Sequence, residues 1–211
     1  MIDLYSWATP NGFKASIMLE ECGLPYTVMP VDILAGDQDK PAFRAINPNG
    51  KIPAIVDHDK GITVFESGAI LTYLAETCGR LLPTDRKGRY ETLHWLSWQV
   101  GGVGPMFGQA SFFIRKAPDN RQAIDRYVTE SNRLLDVAER RLGETAYFAG
   151  YGYTIADIMI FPWMSIARAF LDVPQKPWSN RPNLLRWLDL IGSRGAVEKG
   201  MAVPFPHKPA A

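Results

Sequence analysis

The chain has 211 residues, 46% of them hydrophobic, and a formal net charge of +1. That is enough length for one large domain or two small ones and enough apolar mass for a sizeable core, which excludes a disordered chain. The near-neutral balance gives no global pull toward nucleic acid or an anionic membrane surface. No apolar run approaches the ~20 residues of a membrane-spanning helix; the best candidate, Phe161–Leu171, is interrupted by Arg168.

The first residues, MIDLYSWATPNG, carry no basic stretch followed by a long apolar core, so no secretory leader is expected and the protein reads as cytoplasmic. Ile2 to Tyr5 is a strand, and Thr9-Pro10-Asn11-Gly12 a turn into a helix. Ala15, Met18, Leu19 and Cys22 share one face of that helix, with Gly23 as its C-cap. Tyr26 to Val31 is a second strand, and strand, helix and strand at this length predict a parallel unit with a right-handed crossover. A polar loop around Gly36–Asp39 and a short helical turn near Pro41–Ala45 follow. The next stretch, NPNGKIPAIVDHDKGITVFESGAIL, holds two short apolar runs, Ala54–Val56 and Ile62–Phe65. They are separated by a turn at Asp57–Gly61 and lead into a helix carrying Ile70, Leu71 and Leu74. The order β-α-β, α, β-β-α is thioredoxin-like and occupies residues 1–79.

Leu81–Asp85 reads as a linker, and the second domain, 86–211, is helical in pattern throughout. Gly101, Gly102, Gly104 and Pro105 predict a kink or break in a long first segment. Ile124, Tyr127, Val128, Ser131, Leu135, Ala138 and Leu142 form one stripe, with Gly143 as its cap. Thr154-Ile155-Ala156-Asp157 is a capping box before an apolar helix, which accounts for Asp157 as a folding device. Pro182 starts a last helix, and the tail from Val203 on, with Pro204, Pro206 and Pro209, is expected to be extended or loose. Cys22 and Cys78 have neither CxxC nor metal spacing, and His58, His94 and His207 pair with no ligand set, so no metal is expected.

The chemistry is drawn from two places. Pro53 can open a strand but not sit inside a central one. A cis Ile52–Pro53 bond would leave the backbone of Ile52 facing outward, able to pair with an extended peptide. Ser67 falls at a helix start, where N–H groups and the dipole attract a carboxylate, and Glu66 beside it can hold an ammonium. Together they fit the α-amino-acid end of a peptide. The second place is the turn after the first strand, where redox members of the thioredoxin-like group carry CxxC. Here it has no cysteine, so the protein cannot attack a disulfide from this position with its own thiol. It can activate a thiol that a ligand brings. A hydrogen bond to a charged group is worth about 1.5–3 kcal/mol, or roughly one to two units of thiol pKa, so a cation is not required, and none is present in the turn. Thr9 and Asn11 are the donor candidates, although both residue types are also ordinary helix caps; Tyr5 and Ser6 are weaker ones.

The Glu-Ser pair after strand-turn-strand resembles the glutathione site of the glutathione transferase superfamily. YSWATPNGFKASIMLEE, FRAINPNGKIPAIVDH, FESGAILTYLAE, WLSWQVGGVGPMFGQ and YTIADI resemble the bacterial nu-class glutathione transferases, which include glutathione-dependent disulfide-bond reductases. The resemblance covers nearly the whole chain. It implies the glutathione transferase architecture, an α/β N-terminal thioredoxin-like domain plus an all-α C-terminal domain. It implies a thiolate held by Thr9 and Asn11, with further contacts from Gln38, Ile52 and Pro53, Glu66 and Ser67. An arginine on the long helix, Arg133 by the best alignment with Asn132 one position away, would reach across a homodimer. It also implies reduced glutathione as cosubstrate, two per site or as glutathione disulfide, and a small disulfide or peroxide as partner. Conjugation to an electrophile, or glutathione binding without catalysis, are the alternatives.

Overall fold

The structure is a computed structural model that describes residues 1–150, 152–170 and 177–203. By packing it forms two compact units. One is Met1–Leu82 with the described residues from Ser193 on; the other is Pro83–Gly192.

The first unit is built on a four-stranded sheet in the order β2-β1-β3-β4. The strands are β1 (Ile2–Ser6), β2 (Tyr26–Pro30), β3 (Ala54–Asp57) and β4 (Ile62–Phe65). β1 and β2 run parallel, joined through helix α1 (Pro10–Cys22), and the other two pairings are antiparallel. Helices α2 (Pro41–Ile46) and α3 (Ser67–Cys78) complete the thioredoxin-like order. Alternation along β1 buries Ile2, Leu4 and Ser6 on one face. On the other, Tyr5 packs with Val31, Phe43 and Ala54. The left-handed residue expected at the end of α1 is Gly23, with φ of 63°.

Register decides where the chemistry can sit. Tyr5 is paired with Ala54, and Ala54 with Phe65. The exit of β1, the entry of β3 and the exit of β4 therefore lie in one row at the same end of the sheet. Three segments far apart in sequence, the turn at 7–12, the loop at 47–53 and the start of α3, are brought together by that row.

The second unit holds α4 (Arg86–Trp98), α5 (Gly104–Lys116), α6 (Arg121–Glu144), α7 (Ile155–Phe170) and α8 (Pro182–Gly192). Instead of breaking at its glycines, the first segment passes through a π-helical turn, Gln99–Val103, and runs on into α5. One extra residue per turn absorbs the irregularity without losing the helix. Gly143 is not a cap: α6 continues to Glu144 and ends at an extended Thr145. A Cβ on Gly143 would stand 3.2 Å from Asn183 Nδ2, a tight contact with the tip of a side chain. Asp157 behaves as the capping-box reading requires, accepting from the Thr154 N–H at 3.0 Å, although Thr154 Oγ1 caps Ala156 rather than Asp157 itself.

A further helix, α9 (Gly195–Met201), was not expected. The division at 1–79 and 86–211 counts it with the helical part; by packing it lies on α1, where Ser16 Oγ donates to the Gly200 carbonyl at 2.7 Å. The expectation for the proline-rich tail beyond Val203 lies outside the described residues, as does His207.

Candidate functional site

The turn after β1 is held by its own backbone. Thr9 N–H donates to the Trp7 carbonyl at 2.8 Å and Phe13 N–H to the Thr9 carbonyl at 3.0 Å. Thr9 is the N-cap of α1: its Oγ1 accepts the Gly12 N–H at 3.1 Å, and Pro10 follows in the first turn, where its missing N–H costs nothing. No side chain fits at Gly12, since a Cβ there would stand 2.1 Å from the Trp7 oxygen and 2.5 Å from Ser6 Oγ. This packing removes Ser6 from the candidates, as it is fully buried beneath Gly12. Tyr5 is turned into the small core on the opposite face, with its ring 6.2 Å from that of Phe43, and burial pushes its hydroxyl pKa up. Thr9 and Asn11 remain, both half-buried at the surface of the turn.

The loop before Pro53 is organised by Asn47, which is buried. Its Oδ1 accepts the Asn49 N–H at 2.9 Å, its Nδ2 donates to the Lys51 carbonyl at 2.6 Å, and its own carbonyl accepts the Gly50 N–H at 2.9 Å. The Ile52–Pro53 bond is cis. Across the row, Asn49 Nδ2 donates to Glu66 Oε1 at 3.3 Å, tying this loop to the start of α3.

Glu66 is the N-cap of α3 and has φ of 68°, a left-handed value that L side chains other than Asn and Asp rarely adopt. Such strain costs of order 1–3 kcal/mol and persists where its surroundings over-determine it, commonly at ligand sites. It leaves the Glu66 side chain exposed and Ser67 first in the helix, with the unpaired N–H groups of a helix start behind it.

Gln38 sits in a short 3-10 turn, Asp37–Asp39, donating from Nε2 to Asp39 at 3.2 Å. Its Oε1 is buried with no hydrogen-bond partner among the described residues. Arg44 holds this turn near the loop, donating to Asp39 at 2.7 Å and to the Pro48 carbonyl at 2.9 Å.

The sequence reading found no positive group for this turn, and the structure supplies one. Lys14, one helical turn beyond Asn11, is 2% exposed. Its Nζ donates to Asn11 Oδ1 at 2.9 Å and approaches Ser67 Oγ at 3.5 Å. Burial lowers its pKa from 10.5 to about 7, against the pull of the nearby Glu66 carboxylate. The signal was present in the pattern: Lys14 lies in phase with Ala15, Met18, Leu19 and Cys22, on the face α1 buries.

In the helical unit, Arg133 is on the exposed side of α6, paired to Glu130 through Nε and Nη2, each at 2.7 Å. Asn132 is turned inward, where its Oδ1 accepts from Arg181 at 3.0 Å. Of the two, Arg133 is the one a ligand can meet. Phe107 is fully buried in the core of this unit. Among the described residues no cluster of His, Cys, Asp or Glu is arranged to hold a metal, and no helix is long and apolar enough to cross a membrane.

Residues 1–76 match the glutathione S-transferase N-terminal domain and residues 105–194 the glutathione S-transferase C-terminal domain. The disulfide-bond oxidoreductase YfcG of Escherichia coli K12 is 44% identical over 208 residues, covering 95% of this chain and 94% of that protein. Two solved structures are similar throughout. A glutathione transferase from Burkholderia graminis, with two glutathione molecules bound per subunit, is 44% identical with a TM-score of 0.90, covering 97% of this chain and 89% of that one. One from Pseudomonas putida, with one glutathione disulfide bound per subunit, is 43% identical with a TM-score of 0.88, covering 97% and 92%.

Proposed function

Because the chain belongs to the glutathione S-transferase family, we propose that it is a glutathione-dependent oxidoreductase, reducing small disulfides or peroxides with a thiolate that the ligand supplies. The observation that carries this reading is the turn at Thr9–Gly12, which stands where redox relatives of the fold keep cysteines and offers hydroxyl and amide donors instead. Glutathione lies along residues 1–79. Its γ-glutamyl end is read by Glu66 and Ser67, its backbone by Ile52 beside Pro53, with Gln38 contributing a further contact. The buried, unpartnered Oε1 of Gln38 supports a ligand donor there, since such an atom costs about 1–3 kcal/mol if left unpaired.

Thr9 and Asn11 donate to the sulfur. A free thiol of this type ionises near pH ~8.5; one charge-assisted hydrogen bond and the start of α1 bring that to about neutrality. The thiolate attacks one sulfur of the substrate disulfide, the S–S bond breaks, and the leaving sulfur takes a proton as the free thiol. A second glutathione thiolate then attacks the glutathione sulfur of the mixed disulfide, releasing the other substrate thiol and leaving glutathione disulfide. Two glutathiones are oxidised for each disulfide reduced. With a peroxide, the first attack breaks O–O and yields an alcohol and a sulfenic acid, which the second glutathione converts to glutathione disulfide and water.

The protein works as a cytoplasmic homodimer in which Arg133 reaches toward the glutathione of the neighbouring subunit. Its two cysteines, Cys22 and Cys78, are free thiols, as a reducing compartment favours. Burial pushes the Cys22 thiol pKa up and makes it a poor nucleophile.

The deciding measurement is turnover of hydroxyethyl disulfide coupled to glutathione reductase, run beside chlorodinitrobenzene conjugation. Disulfide turnover that dominates supports the reading. Conjugation faster by orders of magnitude overturns it in favour of transfer to electrophiles, and binding with neither activity leaves a glutathione-binding regulator.

A further inference from the structure

We infer that Lys14 is a positioning residue that sets the donor direction of both Asn11 and Ser67, and so couples the sulfur end of the bound tripeptide to its γ-glutamyl end through one buried side chain. The inference rests on the glutathione-binding reading above and adds to it a residue that does not itself touch the ligand.

The argument begins with what Lys14 costs. An amine buried to 2% exposure is expensive unless paired, and a methionine of similar length would fill the same space without that penalty. What the amine adds is N–H donors and nothing that accepts when charged. Two of the acceptors they reach are Asn11 Oδ1 at 2.9 Å and, more weakly, Ser67 Oγ at 3.5 Å.

Each contact has a directional consequence. An asparagine amide has one accepting and one donating end. With Oδ1 turned to Lys14, Nδ2 must point the other way; the flipped amide would set N–H against N–H and leave a buried donor unmatched. A serine hydroxyl has a single proton. When its oxygen accepts from Lys14, that proton is directed elsewhere, and a ligand carboxylate at the start of α3 is a suitable acceptor. The Nδ2 of Asn11 toward a thiolate and the hydroxyl of Ser67 toward a carboxylate are the two orientations that glutathione requires.

The direction is strict in the ammonium form, which has donors only; with a pKa of about 7, a neutral amine that can also accept coexists with it near neutrality. The Glu66 carboxylate acts on Lys14 and favours its charged form. Ligand thiolate and carboxylate add negative charge near Glu66, which favours the ammonium form in the complex.

The test is a pair of double-mutant cycles in the full-length protein. Lys14→Met is combined with Asn11→Ala and read by the ultraviolet absorbance of the bound thiolate against pH. It is combined with Ser67→Ala and read by calorimetric glutathione affinity. Lys14→Met alone should raise the ionisation point of bound glutathione by about one pH unit and weaken binding about tenfold, the scale of one hydrogen bond to a charged group. Asn11→Ala added to Lys14→Met should then move the ionisation point little further, and Ser67→Ala should move the affinity little further. Full additivity in both cycles, or a Lys14→Met protein with unchanged ionisation and affinity, overturns the inference while leaving the glutathione reading intact. Absence of binding by the wild-type protein would instead sink the reading it rests on. Should Lys14→Met fail to fold, the Lys14 Nζ resonance of the wild-type protein is titrated with and without glutathione. A rise in its titration point on binding supports the inference, and an unmoved resonance overturns it.

Discussion

Thr9 Oγ1 accepts the Gly12 N–H at 3.1 Å, so the oxygen that caps α1 carries its own proton directed away from the helix. On the proposed function, cap and thiolate donor would be two uses of one hydroxyl, the lone pair serving the helix and the proton serving the ligand. Substitutions separate them. Thr9→Ser should keep both uses. Thr9→Asp should keep the cap and remove the donor, so melting temperature holds while the ionisation point of bound glutathione rises. Thr9→Val should lose both, with about 1 kcal/mol of stability lost. Thermal melts beside thiolate absorbance check all three; an unchanged ionisation point in Thr9→Asp would remove Thr9 from the chemistry.

Lys14 makes stability depend on pH in a defined direction. Its pKa is about 7 folded against the ordinary 10.5. Between those values the unfolded chain holds the proton and the folded chain has lost it, so stability rises with pH across the window. The steepest slope is about 1.4 kcal/mol per pH unit. Below about pH 7 both states are protonated, and this contribution to the slope vanishes. Unfolding in urea from pH 6 to 10 should show the rise in the wild-type protein and a flatter profile in Lys14→Met. Parallel profiles would mean that folding does not lower the Lys14 pKa.

Arg133 and Glu130 form an exposed pair, with the Arg133 side chain 59% accessible. Pairs of this kind contribute about 0–1 kcal/mol. Arg133→Ala should leave the melting temperature within a degree or two, so a loss of affinity for glutathione disulfide in that variant reports a ligand contact rather than damage to α6. Equal affinity, measured by calorimetry, would argue against a role at the neighbouring subunit's site.

Asp157 gathers donors from Phe148 N, Thr154 N and Trp187 Nε1, at 3.1, 3.0 and 2.9 Å. It stands beneath an aromatic cluster in which Phe148 meets Trp187 edge-on at 5.0 Å. Asp157→Ala strands those donors in the interior and should cost about 3–5 kcal/mol. Below its lowered melting point, the variant should ionise bound glutathione at the wild-type pH. A shifted thiolate profile in folded protein would reopen an acid–base role for Asp157.

The strands, the crossover and the start of α3 were legible because period-two burial and turn residues report local structure directly. The convergence of Thr9, Pro53 and Glu66 was legible only through the fold those elements imply, since the register pairing Tyr5 with Ala54 and Ala54 with Phe65 is a tertiary fact. Where the reading failed, a residue served a neighbour remote in sequence. Gly143 looked like a helix end but lies within α6, against the tip of Asn183. Lys14, two residues past a turn, carried no assignment from the sequence, and the groups it contacts include Asn11 and, 53 positions away, Ser67. The short helix α9 was hidden because Gly195 and Gly200 argue against helix locally, while at 200 the lack of a side chain lets it lie on the backbone of Ile17.

The crowding at Gly12 excludes one kind of redox site. A dithiol spaced as CxxC from the cap position would need sulfur at 9 and at 12, and position 12 has no space for even a methyl group beside the Trp7 oxygen. A chain made Thr9→Cys and Gly12→Cys should misfold at this turn before it could cycle as a self-contained redox couple. Backbone geometry at position 12 thus bars a dithiol of this spacing from the turn.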